Sequence, residues 1–462
     1  MTLFLLLDFG ATHLKSSVVD LDSGRFSHFF KQPAVVNCSK IKGHHELSLL
    51  ALKDQFLSVC HHYVNHLGFG LGGIVLCSQM HGFVITDLDN NSLTEYISWR
   101  DERSLQFLKG ESTFELVQQE LGGLFREISG MRPRPGLAFV NALHMARSMD
   151  LGHELKILSL PEWLVLNGIE AKNVVHETML AGSGFYDVKK RELSRELLGF
   201  FEEICGVRCI FNEPVSFQTP AAYVKIFHQK IPVYVGVGDH QCAVLGAGNV
   251  PNETISINLG TGSQVSIIDK EVKTDEVECR PYFDFSRLST ITHIPSGRAL
   301  NEYLNFLASV CQMTKGSVDW WSELGKLSLP DVMNSTLDFD LGVFNSAWNY
   351  TDGGKILLIG EGHFTVKNYL ASLLKGYVVQ YLNAIRILDP DRTVNTYVLS
   401  GGVASAIPVV SQVLAHLSGR HVKTSFPIDE TFLGLRVIAL IAAGFEHQCV
   451  EAQEIFGSRV IL

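Results

Sequence analysis

The chain has 462 residues, 46% of them hydrophobic and 19% charged, with a formal net charge of -10. That length exceeds one ordinary core and sets an expectation of two or three domains. The balance excludes a disordered chain. An acidic excess with no basic run argues against a nucleic-acid surface, because phosphate contacts need clustered Lys and Arg.

The first element is "LFLLL", followed at once by Asp8. It has no basic leader region and no cleavage pattern, so it reads as a buried strand and not as a signal peptide. The histidine pairs His44–His45 and His61–His62 have no matching ligand cluster in the sequence and read as exposed helix residues. "GFGLGG" (68–73) matches G-x-G-x-x-G literally, but it follows a helical pattern and precedes a strand, the reverse of the dinucleotide-binding order. The nine cysteines are scattered, and free thiols in a cytoplasmic protein are expected.

At residues 233–250 the run "VYVGVGDHQCAVLGAGNV" reads as a buried strand entering a glycine-broken turn. Its lone carboxylate, Asp239, is costly to bury and should have a partner or a task. The Gly, Asn and Pro cluster "AGNVPNE" (247–253) marks a boundary, dividing the chain into domains 1–247 and 248–462. Just beyond it, "ISINLGTGSQVSII" repeats the pattern of "LLLDFGATHLKSSVV" near the start. Each is an apolar strand, then Asn258 or Asp8, then Gly260 or Gly10, a hydroxyl-rich turn and a second strand. Two such hairpins half a chain apart imply two related domains.

Later elements alternate in the same way. "LASLLKGYVVQYLNAIRIL" has the spacing of a long amphipathic helix. "YVLSGGV" is a strand ending in Gly401–Gly402; in the helix that follows, Ser405 is placed to cap, Pro408 falls in the first turn and Gly419 terminates. Arg436 interrupts the longest apolar stretch, so no membrane span is expected. The pattern is that of an α/β chain with a cleft between its halves as the natural ligand site.

No Walker-type G-x-x-x-x-G-K-[ST] loop is present. The two hairpin turns are the better phosphate candidates. Glycine there lets backbone N–H groups close on phosphate oxygens, and Thr12, Thr261 and Ser263 add hydroxyl donors. Lys15 would add positive charge, and Asp8 sits where a carboxylate can hold magnesium, directly or through water.

The ordered set "DFGATHLK", "SQMHG", "GVGDHQ", "NLGTGSQ" and "LSGGVASAIPVVSQVLA" resembles the FGGY family of carbohydrate kinases over essentially the whole chain. The resemblance implies an α/β fold of two ribonuclease-H-like domains, of actin and hexokinase type, flanking a cleft that closes over ATP and sugar. It implies that Asp239 is the base that takes the proton of the sugar hydroxyl. It implies a sugar site in the first domain made by Gln79, Met80 and His81 of "SQMHG", with Trp99 as an aromatic wall, Asp101 beside it, and His240 next to the base. The family's xylulokinases and sedoheptulokinases carry Q-M-H-G here, whereas its glycerol kinases carry an Arg–Glu pair.

The cofactors implied are ATP and magnesium. Asp8, Gly10, Thr12 and Lys15 belong to the first phosphate hairpin, with Asp8 on the metal. In the second domain, Gly260, Thr261 and Gly262 form the second hairpin, while Gly401 and Gly402 pack flat against the purine and ribose. "PIDETFLGLRVIALIAAG" resembles the family's closing helix, where glycine permits tight packing.

Four positions depart from the family pattern: Ala11 for a threonine, His13 for a serine, Val403 for a third glycine, and Gly362 for a common arginine. They bear on ATP use more than on fold, and they motivate the alternative of a catalytically lapsed sugar- or nucleotide-binding protein. The leading expectation is an ATP-dependent kinase acting on the terminal hydroxyl of a xylulose-like or sedoheptulose-like ketose. Its partner is a small-molecule sugar, with neither nucleic acid nor membrane, and the chain is a monomer or homodimer.

Overall fold

The computed structural model describes residues 2–459 except 67, 69, 109, 261, 270, 272–276, 314–315, 345–347, 349–352 and 426–427. The chain forms two compact units. One comprises Met1–Gly246, Cys279–Arg287 and Ile428–Leu462; the other comprises Ala247–Glu278 and Leu288–Pro427.

In the first unit, β1 (Leu3–Phe9), β2 (His13–Asp20) and β3 (Phe26–Pro33) form an antiparallel meander. β4 (Leu71–Ser78) runs parallel to β1 on its other side. β5 (Pro220–Ile226) and β6 (Gln229–Tyr234) extend the sheet beyond β4, in the order β5-β6-β4-β1-β2-β3, and the short β7 (Val237–Gly238) also pairs with β4. The apolar start of the chain is this central strand: Leu5, Leu6 and Leu7 are all fully buried, so both faces of the sheet are covered. Asp239 is the first residue of α1 (Asp239–Gly246), which leaves β7 directly.

The second unit repeats the plan. β8 (Thr254–Leu259) and β9 (Ser263–Asp269) form the second hairpin. With β10 (Arg287–Ile294), β11 (Thr396–Ser400) and β12 (His421–Thr424), five strands of its sheet run in the order β10-β9-β8-β11-β12. β11 is parallel to both β8 and β12. Numbering each unit's strands from its hairpin, both sheets share the order 3-2-1-4 and then add a strand parallel to the fourth, β12 in the second unit and β6 in the first, where β5 pairs outside it, in keeping with a ribonuclease-H-like plan. The similarity of the two hairpin sequences is therefore a similarity of sheets.

Helices α2 (Gly297–Met313) and α3 (Val366–Leu388) supply the second unit's core. In α3 the buried Tyr369, Leu373, Tyr377 and Tyr381 recur one turn apart, and Thr365 caps the start by accepting from the Asn368 N–H. Pro408 occupies the N-cap of α4 (Val409–Ser418), and Gly419 ends it in the left-handed region at φ 68°. Ser405 does not cap: it lies inside a single turn, Gly402–Ala406, that forms as soon as Gly401 reverses the chain. Gly401 has φ 90°, and a Cβ there would stand 2.6 Å from the Leu259 carbonyl oxygen, so only glycine fits.

The last long helix, α5 (Glu430–Ala442), belongs to the first unit and packs on α1, β1 and β4. A single cut near residue 247 assigns it to the second half. The structure instead returns residues 428–462 to the first unit, because α1 and α5 meet backbone to backbone. No helix among the described residues is long and apolar enough to cross a membrane.

Candidate active site

Three strands of the first unit bring its carboxylates to one end of the sheet. Asp8 on β1 is in register with Cys77 on β4, and Cys77 with Val237 on β7, two residues before Asp239. Ligand sites in such sheets lie beyond the carboxyl ends of the parallel strands.

Asp8 is 4% exposed. Across the hairpin it faces Lys15, whose Nζ lies 3.3 Å from Asp8 Oδ2. The same ammonium sits 2.7 Å from Asp429 Oδ2. Asp429 is the N-cap of α5 and accepts from the Thr431 N–H at 3.1 Å. The Thr431 hydroxyl lies within hydrogen-bond reach of Asp429 Oδ1 and, at 3.1 Å, of Asp8 Oδ2. Burial, with a smaller contribution from Asp429, pushes the Asp8 carboxyl above its ordinary range against the opposing pull of Lys15. Burial also works against the charge on Lys15 and on Asp429. The attraction within the network outweighs it, raising Lys15 and lowering Asp429.

Asp239 is partly buried, and its Oδ1 accepts from the His240 N–H at 2.8 Å. Burial first, and the charge of Asp8 second, push its pKa up to about 7; the His240 N–H, Arg280 and Lys15 pull the other way. A carboxylate so poised is matched to proton transfer near neutral pH. Its neighbours include Arg280, whose Nη1 lies 3.5 Å from Nδ1 of the buried His240.

Gln79 and Met80 follow β4 and are buried, with the Gln79 N–H donating to the Phe9 carbonyl at 3.0 Å. Met80 reaches the β7 end: a Cβ on Gly238 would lie 2.8 Å from its Sδ. His81 adopts a left-handed backbone at φ 68°, and its Nδ1 lies 3.0 Å from the Gly182 carbonyl oxygen. A carbonyl only accepts, so Nδ1 carries a proton toward Gly182. Beside His81 a small cavity extends toward Phe83, Met179 and the buried Glu162. Burial pushes the Glu162 carboxyl up to about 7.

Trp99 is 42% exposed, with the Arg100 guanidinium carbon 5.3 Å from its ring centroid. Asp101 is different. It is fully buried, accepts from Arg103 Nε and Nη2 at 2.8 Å each, and from the His45 N–H at 2.6 Å. Its carboxylate is committed to this loop and offers no edge to a sugar. The same loop corrects the reading of His44 and His45, which precede the first helix of the chain instead of riding on it. Ligand atoms of His44, Glu46 and Asp101 lie within 4.8 Å of one another, and Arg103 supplies the counter-charge through Glu46 Oε1 at 2.5 Å and Asp101.

On the first turn, Gly10 donates to the His13 carbonyl at 3.1 Å, and the exposed Thr12 hydroxyl lies 3.2 Å from His13 Nδ1. In the second unit, Gly260 and Gly262 flank Thr261, which lies outside the described residues. Asn258 and Ser400 are paired in register, so Gly260 and Gly401–Gly402 follow the same end of adjacent parallel strands. Ser263 turns inward, accepting from the Tyr381 hydroxyl at 2.9 Å, and is not placed as a phosphate donor. Val403 is buried in the core and Gly362 is exposed at φ 76°.

Sequence reasoning missed Asp429, Thr431 and Arg280. The Asp-Glu-Thr start of α5 is legible as a helix cap. Its contact with Lys15, 414 residues away, carries no local signal. Asp8 is the carboxylate that fits a divalent cation: Lys15 meets Asp8 and Asp429 directly, and like charge crowds Asp8 from both sides, Asp429 raising Asp8 and Asp8 raising Asp239.

Among curated proteins, the xylulose kinase of Lactococcus lactis subsp. lactis is 22% identical over 217 residues, 45% of this chain and 42% of that protein. The match thus spans less than half the length of the curated relative. Among solved structures, a ligand-bound xylulose kinase from Lactobacillus acidophilus aligns with a TM-score of 0.83 at 15% identity, covering 98% of this chain and 92% of that one. A gluconate kinase from the same organism aligns with a TM-score of 0.82 at 16% identity, with coverages of 98% and 92%. These likenesses carry the two-unit α/β fold across the whole chain. The family described as "FGGY family of carbohydrate kinases, N-terminal domain" matches residues 3–246, more than half of the sequence, and this chain belongs to the FGGY family of carbohydrate kinases.

Proposed function

We propose that this chain is an ATP-dependent kinase that phosphorylates the terminal primary hydroxyl of a ketose of five to seven carbons, xylulose-like or sedoheptulose-like. The observation that carries the reading is Asp239: a carboxylate at a strand end, held near neutrality in pKa, beside the Asp8–Lys15 pair. In the reaction the sugar oxygen bonds to the γ-phosphorus as the bond to the ADP oxygen breaks, and Asp239 takes the hydroxyl proton. Asp8, directly or through water, would hold a magnesium ion, which when bound neutralises charge on the phosphates. Lys15 adds positive charge on the same side. Gln79, Met80, His81, Trp99 and His240 position the sugar. In the first unit Gly10 shapes the turn, its N–H closing on the His13 carbonyl, and Thr12 offers its hydroxyl, while in the second Gly260, Gly262, Gly401 and Gly402 offer backbone and flat surface to the nucleotide.

The ketose preference rests on the Q-M-H-G sequence and on the named likeness to xylulose kinases. His81→Ala is expected to raise the KM for the sugar and leave that for ATP largely unchanged. A hydrogen bond to a neutral hydroxyl contributes about 0.5–1.5 kcal/mol, roughly a 2- to 12-fold change. A loss of ATP affinity with the sugar KM intact would move the sugar site away from His81.

The pH dependence follows from Asp239. The base must be unprotonated, so kcat/KM rises with pH through about 7, the value to which burial and Asp8 push this carboxyl. An acid limb near the ordinary carboxylate value would assign the proton transfer elsewhere. The decisive test of the function is a coupled assay of ADP release across pentuloses, heptuloses, aldonates, aldoses and polyols. Ketose-dependent turnover supports the proposal. Nucleotide or sugar binding with no turnover would favour the lapsed alternative.

A further inference from the structure

Asp8 is held unequally at its two oxygens. Oδ2 takes both the Lys15 ammonium at 3.3 Å and the Thr431 hydroxyl at 3.1 Å. Oδ1 has the Cys77 thiol at 3.6 Å, a weak donor, and faces the first turn: a Cβ on Gly10 would lie 3.8 Å from it. Both groups that grip Oδ2 are themselves held by one residue. Asp429 Oδ2 takes Lys15 at 2.7 Å, and Asp429 Oδ1 takes the backbone N–H and the hydroxyl of Thr431.

We infer that Asp429 is a positioning residue for Asp8: by fixing Lys15 and Thr431 it keeps Asp8 Oδ2 occupied and Oδ1 turned toward the phosphate-binding turn at Gly10. The inference rests on the reading of Asp8 as the carboxylate that holds magnesium. It gives the cap of α5 a second task, because the start of the last long helix sets the orientation of a side chain on the first strand. Loss of Asp429 would free Lys15 to lie fully on Asp8 and compete with a metal ion for it.

Asp429 also caps a helix, and the experiment must separate the two tasks. Asn is as good an N-cap as Asp but brings no charge to Lys15. The probe is magnesium titrated calorimetrically into the full chain saturated with ADP, with melting temperature measured on the same samples. Asp429→Asn is expected to weaken magnesium binding about tenfold or more while melting within a few degrees of the parent and leaving the sugar KM unchanged. Thr431→Val, which removes the other link, should weaken magnesium in the same direction. The double variant should be little worse than the weaker single one, since both act through the same oxygen. Parent-like magnesium binding by Asp429→Asn would reduce Asp429 to a cap and overturn the inference alone. A parent protein whose ADP complex takes up no magnesium would overturn the reading of Asp8, and this inference with it.

Discussion

Asp239→Asn is expected to lower sugar-dependent ADP release by about 10²-fold or more, the range that removal of a positioned general base commands. The change is isosteric, and the amide oxygen still accepts from the His240 N–H that Asp239 Oδ1 uses at 2.8 Å. The fold should therefore be kept, and nucleotide binding with it. Stability should not fall. In the parent, burial and the charge of Asp8 disfavour the ionised form and push the pKa from 3.8 to about 7. A carboxyl raised on folding contributes fully below its unfolded value and loses that contribution as pH rises through its folded value. The Asn variant should melt like the parent below about pH 4, gain on it between pH 4 and 7, and hold that advantage above. A more stable, nearly inactive protein is the signature of a strained functional group. Turnover within a few-fold of the parent would remove Asp239 from the chemistry, whatever the melting curves show.

What the sequence disclosed and what it hid divide along the range of the interactions. The two hairpins are legible because strand, glycine turn and strand are contiguous, and both appear, Asp8 opposite Lys15 in one and Asn258 opposite Gln264 in the other. The lone carboxylate at 239 is legible because nothing polar precedes it in its strand. Asp101 shows the limit. Its type and position resemble a sugar contact, but Arg103 two residues on, together with the fold of the loop, closes a buried ion pair around it. Spacing alone does not distinguish an open carboxylate from a closed one. The second limit is the return of residues 428–462 to the first unit. A boundary marked by Gly, Asn and Pro shows where the chain leaves a domain. Nothing in composition shows that it comes back.

That return depends on two glycines, and the other large expected effect follows from them. A Cβ on Gly434 of α5 would stand 2.0 Å from the Cys242 carbonyl oxygen of α1, and one on Gly246 of α1 would stand 1.8 Å from the Glu430 carbonyl oxygen of α5. Real Cβ atoms do not approach backbone so closely, and a helix backbone cannot swing aside as a side chain does. Gly434→Val must therefore part the helices. Overpacking of this kind costs about 1–3 kcal/mol, and the backbone on both sides places this site at the upper end. Gly434→Ala should also destabilise, since the gain in helix propensity of about 1 kcal/mol does not offset a contact with a carbonyl. Function should suffer beyond stability. Asp239 begins α1, and Asp429 and Thr431 stand at the start of α5, so parting the helices separates the base from the groups that hold Asp8. Thermal melts and ADP release on Gly434→Ala, measured well below its melting temperature, test both statements. A variant that melts like the parent would show that the two helices have room to part. One that is destabilised but fully active would show that the carboxylates do not depend on how closely these helices pack.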